Sequence, residues 1–395
     1  MELNVPEYAA AVIERLEERG YEAFAVGGCV RDSLLGLTPN DWDVTTSARP
    51  EVTMELFSEP PFKAVPTGIA HGTVTVVYET QGRNVPIEVT TYRIDGKYSD
   101  CRHPGSVRFT SSLEADLARR DFTVNAMAYS PKVGIVDPFG GRDDLKRKLI
   151  RCVGEPEKRF SEDALRIMRA LRFSSVLGFD IEDRTAAAAL KLSAKLSNIS
   201  RERIYSELTK LITGKNAADV IRNYRGVLAV IAPVFDCSAA LERLGEVGQR
   251  GNIPLTFAVL FCGTDAEFVL RSLKAEKKTI SRVCAILARP FAVSYIGAKR
   301  LCASCGVDIA REIQLLAYAR GEIGFDRVEF IDTIIGNDEC VSIKQLKIGG
   351  GELRGMGIEP VRIGDALSGL LGEVIEGRIP NERSSLALFA AKNYL

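Results

Sequence analysis

Histidine is nearly missing from this chain. Only His71 and His103 occur in 395 residues, and neither sits in an acid/base motif, so a reaction built on a histidine base is not expected. Hydrophobic runs of membrane-spanning length are absent, and so is an apolar signal-like core at the N-terminus; a cytoplasmic protein with no membrane partner is expected. A disulfide framework is equally unsupported, because the nine Cys are odd in number and scattered, which suits reduced thiols. The one close pair, Cys302-Ala-Ser-Cys305, has no second pair to complete a zinc site and lies in an apolar helical pattern. Core packing is the favoured reading there.

Net charge is lacking only in total. Residues 1–100 carry 8 basic and 16 acidic side chains, residues 101–300 carry 34 and 22, and residues 301–395 carry 10 and 14. A basic middle between acidic ends suggests a polyanion lying along the centre, against the plainer reading of a solvated helical surface. With 46% hydrophobic and 26% charged residues, the chain is an ordinary globular one, long enough for two to four domains.

The rest is organised around Gly27-Gly28-Cys29-Val30-Arg31-Asp32 and the following Asp41-Trp42-Asp43. Tyr21 to Val26 alternates as a strand, the two glycines let backbone approach a ligand, and residues 29–35 read as a short helix. Free N–H groups at that turn, with Arg31 beside them, make a phosphate-binding geometry. Asp41 and Asp43 open an extended run to Thr46, where side chains two apart share a face. Two carboxylates beside a triphosphate site suit Mg²⁺, which shares oxygen ligands with substrate phosphates. Such a pair alone is often just a solvated turn; behind a Gly-Gly turn and an Arg, the metal reading is favoured.

Along the chain, residues 5–19 form an amphipathic helix with Tyr8, Val12 and Leu16 on one face. Pro50 and Glu51 open a helix to about 57. His71 to Tyr78 and Asn84 to Thr91 are strands joined at Gly82. Glu88 points opposite Ile87 and Val89 and is either a third carboxylate for the Asp pair or a sheet-surface residue. A polar, aperiodic segment follows at 92–112, containing Tyr92, Arg93, Asp95, Tyr98, Asp100, Arg102, His103 and Pro104; a loop of that length is usually functional or disordered. Arg119, Arg120, Asp121 and Asn125 share a turn and suggest triphosphate and ribose contacts. Asp137 to Gly141 closes the first domain.

From about 149 the pattern is helical to the end. Ser161 reads as an N-cap, with Asp163, Arg166 and Arg169 forming one polar ridge and Leu165, Met168 and Leu171 the buried one; a surface ion-pair ladder is the plain alternative. Ser200 opens another capped helix. Beyond 211, apolar-faced helices are expected at Ala217 to Tyr224, Leu255 to Phe261, Ile309 to Ala319 and Ile363 to Glu376, without chemistry of their own.

Taken together, GGCVRD at 27–32, DWD at 41–43, RRDFTVNA at 119–126, EDALRIMRALRF at 162–173 and SRERIYSEL at 200–208 resemble the class II tRNA nucleotidyltransferase and poly(A) polymerase family. The strong similarity spans about residues 20–210. It implies an α+β nucleotidyltransferase head with a mixed sheet and flanking helices at 1–148. An all-α neck at 149–210, a body at 211–325 and a tail at 326–395 would follow, the last two gripping the acceptor arm of tRNA. Gly28, Arg31 and Arg120 would contact the incoming nucleotide, and Asp41 and Asp43 would hold magnesium. Asp163, Arg166, Arg169 and Arg172 would form the templating face of the neck. The metal-dependent phosphohydrolase domain of some longer relatives is excluded, since its His-Asp pair is absent.

That last site has its own physical logic. A carboxylate only accepts hydrogen bonds and a guanidinium only donates. Cytosine and adenine each present an amino donor beside a ring-nitrogen acceptor, whereas guanine and uracil present the reverse. Asp163 with Arg166 therefore fits CTP and ATP and rejects the others, and such mismatches discriminate strongly. The expected reaction is in-line attack of an RNA 3′-hydroxyl on the α-phosphorus with loss of pyrophosphate, assisted by two Mg²⁺ roughly 4 Å apart. In the family it resembles, CC-only members have this loop reduced; with residues 92–104 present, the resemblance favours full CCA addition over CC-adding, A-adding or polyadenylating relatives, and a non-catalytic RNA-binding protein is the alternative of another class. An enzyme acting on an antibiotic or a protein would need neither the basic middle nor the Asp163/Arg166 face.

Overall fold

The computed structural model describes residues 2–80, 82–96, 107–232, 238–244, 247 and 253–395. The chain divides into two compact units, one of residues 1–211 and 224–231, the other of 212–223 and 232–395.

The first unit is built on a seven-stranded mixed sheet. Its strands are β1 (Ala23–Val26), β2 (Val44–Thr46), β3 (Phe62–Gly68), β4 (Thr73–Thr80), β5 (Arg83–Thr91), β8 (Ala128–Ser130) and β9 (Gly134–Val136), in the order β3-β4-β5-β2-β1-β8-β9. Within this sheet β2 and β5 alone pair in parallel among the described residues, with Val44 opposite Val89. A separate ribbon pairs β6 (Arg93–Asp95) with β7 (Val107–Phe109).

β1 is central and all four of its residues are buried, so it reads as a continuous apolar run rather than an alternation. On one side Phe24 and Val26 pack with Tyr92, Leu117, Ala126, Ala128 and Val153. Helix α1 (Glu7–Glu18) packs on the strand with Ala9, Val12, Ile13 and Leu16 buried. The two strands expected on either side of Gly82 form the β4–β5 hairpin, with Val74 opposite Val89 and Val76 opposite Ile87. Gly82 turns at φ +75°, where a side chain would be strained.

Between strands lie α2 (Gly28–Leu34), α3 (Pro50–Leu56), α4 (Leu113–Ala118) and α5 (Gly141–Arg147). After the head come α6 (Pro156–Glu162), α7 (Leu165–Leu177), α8 (Asp183–Leu192) and α9 (Arg201–Ile212). The pattern from 149 onward is not wholly helical: β10 (Leu149–Ile150) pairs in parallel with β11 (Asp180–Ile181). These two-residue strands are too short to leave a periodicity in the sequence.

The second unit is helical among its described residues, including Ile253–Phe261, Val307–Ala319 and Ile363–Ile375. Its C-terminal part packs Leu353, Leu370, Leu386 and Ala390 into one cluster. Cys302, in the helix Tyr295–Cys305 of this unit, is buried, and burial, then Cys305, pushes its thiol up to about 12; it is a neutral packing group. Among the described residues no single helix is long and apolar enough to cross a membrane.

Candidate functional site

The site grows from the end of β1. Gly27 has φ +82° and ψ −123°, a backbone conformation essentially restricted to glycine. Its N–H donates to the Met127 carbonyl, and its own carbonyl accepts from the Arg31 N–H, so the turn is fixed from β8 and from α2. Of the two glycines, Gly27 is the one where a side chain would be both strained and crowded, its β-carbon 3.1 Å from Arg120, whereas one on Gly28 would meet only Arg31 at 3.8 Å. Arg31 is turned inward: it donates to Asp32 at 2.8 Å and to Asn125 at 2.6 Å, and lies 5.0 Å over the Phe173 ring.

Asp41, Trp42 and Asp43 precede β2 rather than forming its first residues. The Asp43 carbonyl nonetheless accepts from the Val26 N–H at 3.0 Å, so the extended run holds. Trp42 is buried while Asp41 is exposed and Asp43 half-buried, which puts both carboxylates on the side away from the indole. The parallel β2–β5 register brings Glu88 alongside. Burial first, then Asp41 and Glu88, push Asp43 up to about 6, with Arg120 opposing.

Glu88 thus acts through its charge. Among the described residues no three of His, Cys, Asp and Glu converge closely enough to hold a metal by themselves; Asp41 and Asp43 are two carboxylates on one side of the extended run. Acids that raise the proton affinity of Asp43 mark a surplus of negative charge that Arg120 only partly offsets. A hard dication that takes its remaining ligands from phosphate and water fits that donor set.

Arg120 reaches the pair from the end of α4, whose Ser112 side chain caps its N-terminus. The anchor is Asp116, fully buried, which accepts from Arg119 at 2.8 Å, from Arg120 at 3.4 Å, from Thr45 of β2 at 3.2 Å and from the Arg93 N–H at 3.3 Å. Burial raises its carboxyl, but Arg119 and Arg120 outweigh burial and hold it below the usual range. No motif pointed to Asp116. An acid three and four residues before two arginines on a helix was the available signal.

Asp121 and Asn125 are not at a triphosphate surface but inside the unit. Asp121 accepts from Asn125 at 3.1 Å and from Arg169 at 2.7 Å. Its carboxyl, raised by burial, is pulled down to about 2 chiefly by Arg169 and Asn125. Arg169 and Arg172 also pair with the buried Glu207 of α9, at 3.9 and 3.1 Å. Arg172 stacks 4.0 Å over Phe173, so that ring carries guanidinium groups from both α2 and α7.

The expected helix through 162–173 is two helices. Ser161 lies inside α6 rather than capping a start, and Asp163 is extended, φ −140° and ψ 105°, between α6 and α7. It is therefore not on a ridge with Arg166 and Arg169. Its Oδ1 accepts from the Leu165 N–H at 3.0 Å, a local bond that favours a break over a continued helix. Its Oδ2 accepts from Arg203 at 2.8 Å. Arg166 donates instead to Glu162 at 2.9 Å and to the Arg119 carbonyl at 3.1 Å. Beside them a cleft of about 700 Å³ is lined by Asp95, Ala115, Arg119, Lys158 and Glu162. Of the loop residues, Tyr92 is buried and Arg93 and Asp95 belong to β6; Tyr98, Asp100, Arg102, His103 and Pro104 lie outside the described residues.

Comparison with known proteins gives a consistent picture. The model for the "Poly A polymerase head domain" matches residues 23–151, an RNA-binding-site model of polymerase A matches 178–236, and a tRNA nucleotidyltransferase domain 2 model matches 254–390. The CCA-adding enzyme of Ligilactobacillus salivarius (strain UCC118) is 37% identical over 407 residues, covering 98% of each chain. The crystal structure of the Bacillus stearothermophilus CCA-adding enzyme in complex with CTP is 33% identical, covers 98% of this chain and 96% of its own, and superposes with a TM-score of 0.78. The Thermotoga maritima CCA-adding enzyme complexed with tRNA shares the fold, with a TM-score of 0.69 at 21% identity.

Proposed function

This chain belongs to the CCA-adding enzyme family, and from that premise we propose how its residues divide the work of building C, C and A onto the 3′ end of tRNA from CTP and ATP. The RNA 3′-hydroxyl attacks the α-phosphorus; a phosphodiester bond forms, the bond to pyrophosphate breaks, and the hydroxyl proton is lost to solvent. Asp41 and Asp43 hold the divalent metal, which we assign as Mg²⁺ from the two hard carboxylates. Bound there, it supplies the charge that favours the ionised hydroxyl and the leaving pyrophosphate.

The chain's own groups do the positioning. The Gly27-Gly28 turn lets the nucleotide approach backbone, Arg120 faces the carboxylate pair, and Arg31, Arg169 and Arg172 surround Phe173 as the cationic wall of the nucleotide site. Asp163 accepts from the amino group of cytosine or adenine while Arg166 donates to the neighbouring ring nitrogen. Each Asp163 oxygen has a lone pair left after its bonds to Leu165 and Arg203, and Arg166 has donors beyond those it uses. Uracil and guanine would set acceptor against acceptor and donor against donor.

We assign residues 1–148 to the catalytic head, 149–210 to the base-reading neck, and 211–325 and 326–395 to a body and tail that hold the acceptor arm of tRNA, in a cytoplasmic protein. The observation that carries the catalytic reading is the placement of Asp41 and Asp43 on the side of the extended run away from buried Trp42, with the β2–β5 register setting Glu88 alongside. The test is extension of a tRNA lacking its terminal CCA. Wild type should add C, C, A and stop. Asp41→Ala should lose about a thousandfold or more in rate, as removal of several kcal/mol of metal-borne stabilisation requires, while still binding tRNA. An Asp41→Ala protein that extends tRNA normally would sink the assignment.

A further inference from the structure

Asp163 and Arg166 pose a problem for the chain before any nucleotide arrives. They are opposite in charge and three residues apart, so the simplest arrangement would be to pair with each other and cancel. They do not. Asp163 is drawn to Arg203 at 2.8 Å, from an element 40 residues further along the chain. Arg166 is drawn to Glu162 at 2.9 Å.

We propose that Arg203 is a specificity-determining positioning residue, which fixes the acceptor edge of Asp163 and keeps it from pairing with Arg166. The proposal deepens the reading of Asp163 as a base-contacting group and rests on it. Because Asp163 lies in the extended break between α6 and α7, no helix backbone sets its direction. Two bonds do so, the Leu165 N–H on Oδ1 and the Arg203 guanidinium on Oδ2. The first also caps the start of α7 and belongs to the fold. The second is a side-chain tether that the helix does not need, and Arg203 Nη1 is buried without a hydrogen-bond partner.

A fixed carboxylate matters more for refusing the wrong base than for accepting the right one. An amino group can recruit a swivelling carboxylate, since that contact is attractive. The carbonyl of uracil or guanine is refused only while the carboxylate cannot turn away, and removing the tether removes the repulsion on which discrimination depends.

The test uses the full-length enzyme, a tRNA lacking its CCA, and single-turnover rates for CTP and UTP in turn. Arg203→Met should lower the CTP-over-UTP ratio about tenfold to a hundredfold, the range for a reacting or reading group displaced by about an ångström, mainly by raising incorporation of UTP. Asp163→Asn should also collapse the ratio, and Arg203→Met added to it should change the ratio no further. Should Arg203→Met fail to fold, Arg203→Gln, which keeps a donor but no charge, replaces it with the same expectations. An unchanged ratio, or a uniform loss for both nucleotides, would overturn the tether if Asp163→Asn still collapses it. If Asp163→Asn leaves the ratio intact, the base-reading assignment itself fails.

Discussion

The Arg120 guanidinium lies 3.1 Å from where a β-carbon on Gly27 would stand. The strand-ending turn and the arginine that faces Asp43 therefore share one space, and a side chain at 27 must either move the arginine or leave the turn. Gly27→Ala also carries the strain of φ +82°, about 1–3 kcal/mol. We expect a lower Tm together with a raised KM for CTP. Wild-type Tm and KM in that variant would show that the turn relaxes without consequence.

Asp43 gives a pH dependence of unusual sign. Its folded-state pKa is about 6, above the value near 3.9 of an unfolded chain. Between those values the folded state holds a proton that the unfolded state has released, so the metal-free protein loses stability as pH rises from about 4 to about 6. Asp43→Asn should thus raise the Tm of the metal-free protein at pH 7 while abolishing nucleotide addition. Apparent Mg²⁺ affinity of the wild type should weaken as pH falls below about 6, because the ligand must be ionised. Thermal melts with and without Mg²⁺ across that range decide it; a metal-free Asp43→Asn protein less stable than wild type would contradict it.

Asp121 behaves oppositely. Its carboxyl is held at about 2 by Arg169 and Asn125 against burial, so its contribution is full above the unfolded value near 3.9 and is lost as pH falls toward 2. Asp121→Asn leaves Arg169 only its longer 3.9 Å pairing with Glu207, and because that arginine is a third exposed the cost should be about 2 kcal/mol, below that of a fully buried pair. Denaturant midpoints should show the same deficit at pH 7 and pH 5, closing only below about pH 4. A deficit that shrinks between pH 7 and 5 would mean another group carries it.

The parts of the site legible in the sequence are those where local chemistry and topology agree. Gly27, Asp41 and Asp43 lie within one strand–turn–strand segment, and the β4–β5 hairpin carries its alternation and its glycine together. β3 was not legible, since Pro66 and Gly68 interrupt its pattern and its pairing comes from β4. The break at Asp163 was hidden as well: no Pro or Gly marks it, and apolar spacing runs through it. It exists because a short acidic side chain bonds a backbone N–H two residues on. Asp116 offered only its spacing to Arg119 and Arg120, and the roles of Arg203 and Glu207 within the 200–208 motif stayed hidden for another reason. Their meaning lies in partners brought together by folding, which spacing along the chain does not encode.

The crossed pairing of Asp163 with Arg203 and Arg166 with Glu162 sets a rule for how this nucleotide alphabet could change. Exchanging the two proposed readers, Asp163→Arg with Arg166→Asp, would reverse the pattern offered to a base and on that ground alone suit uracil and guanine. In this framework it would also set two guanidinium groups against each other at 163 and 203, and two carboxylates at 162 and 166. A shift of alphabet is therefore a four-residue event, and each single step toward it passes through an unpaired charge. The chain needs no nucleic-acid template, and it guards the letters it carries by making every isolated misprint costly to the fold.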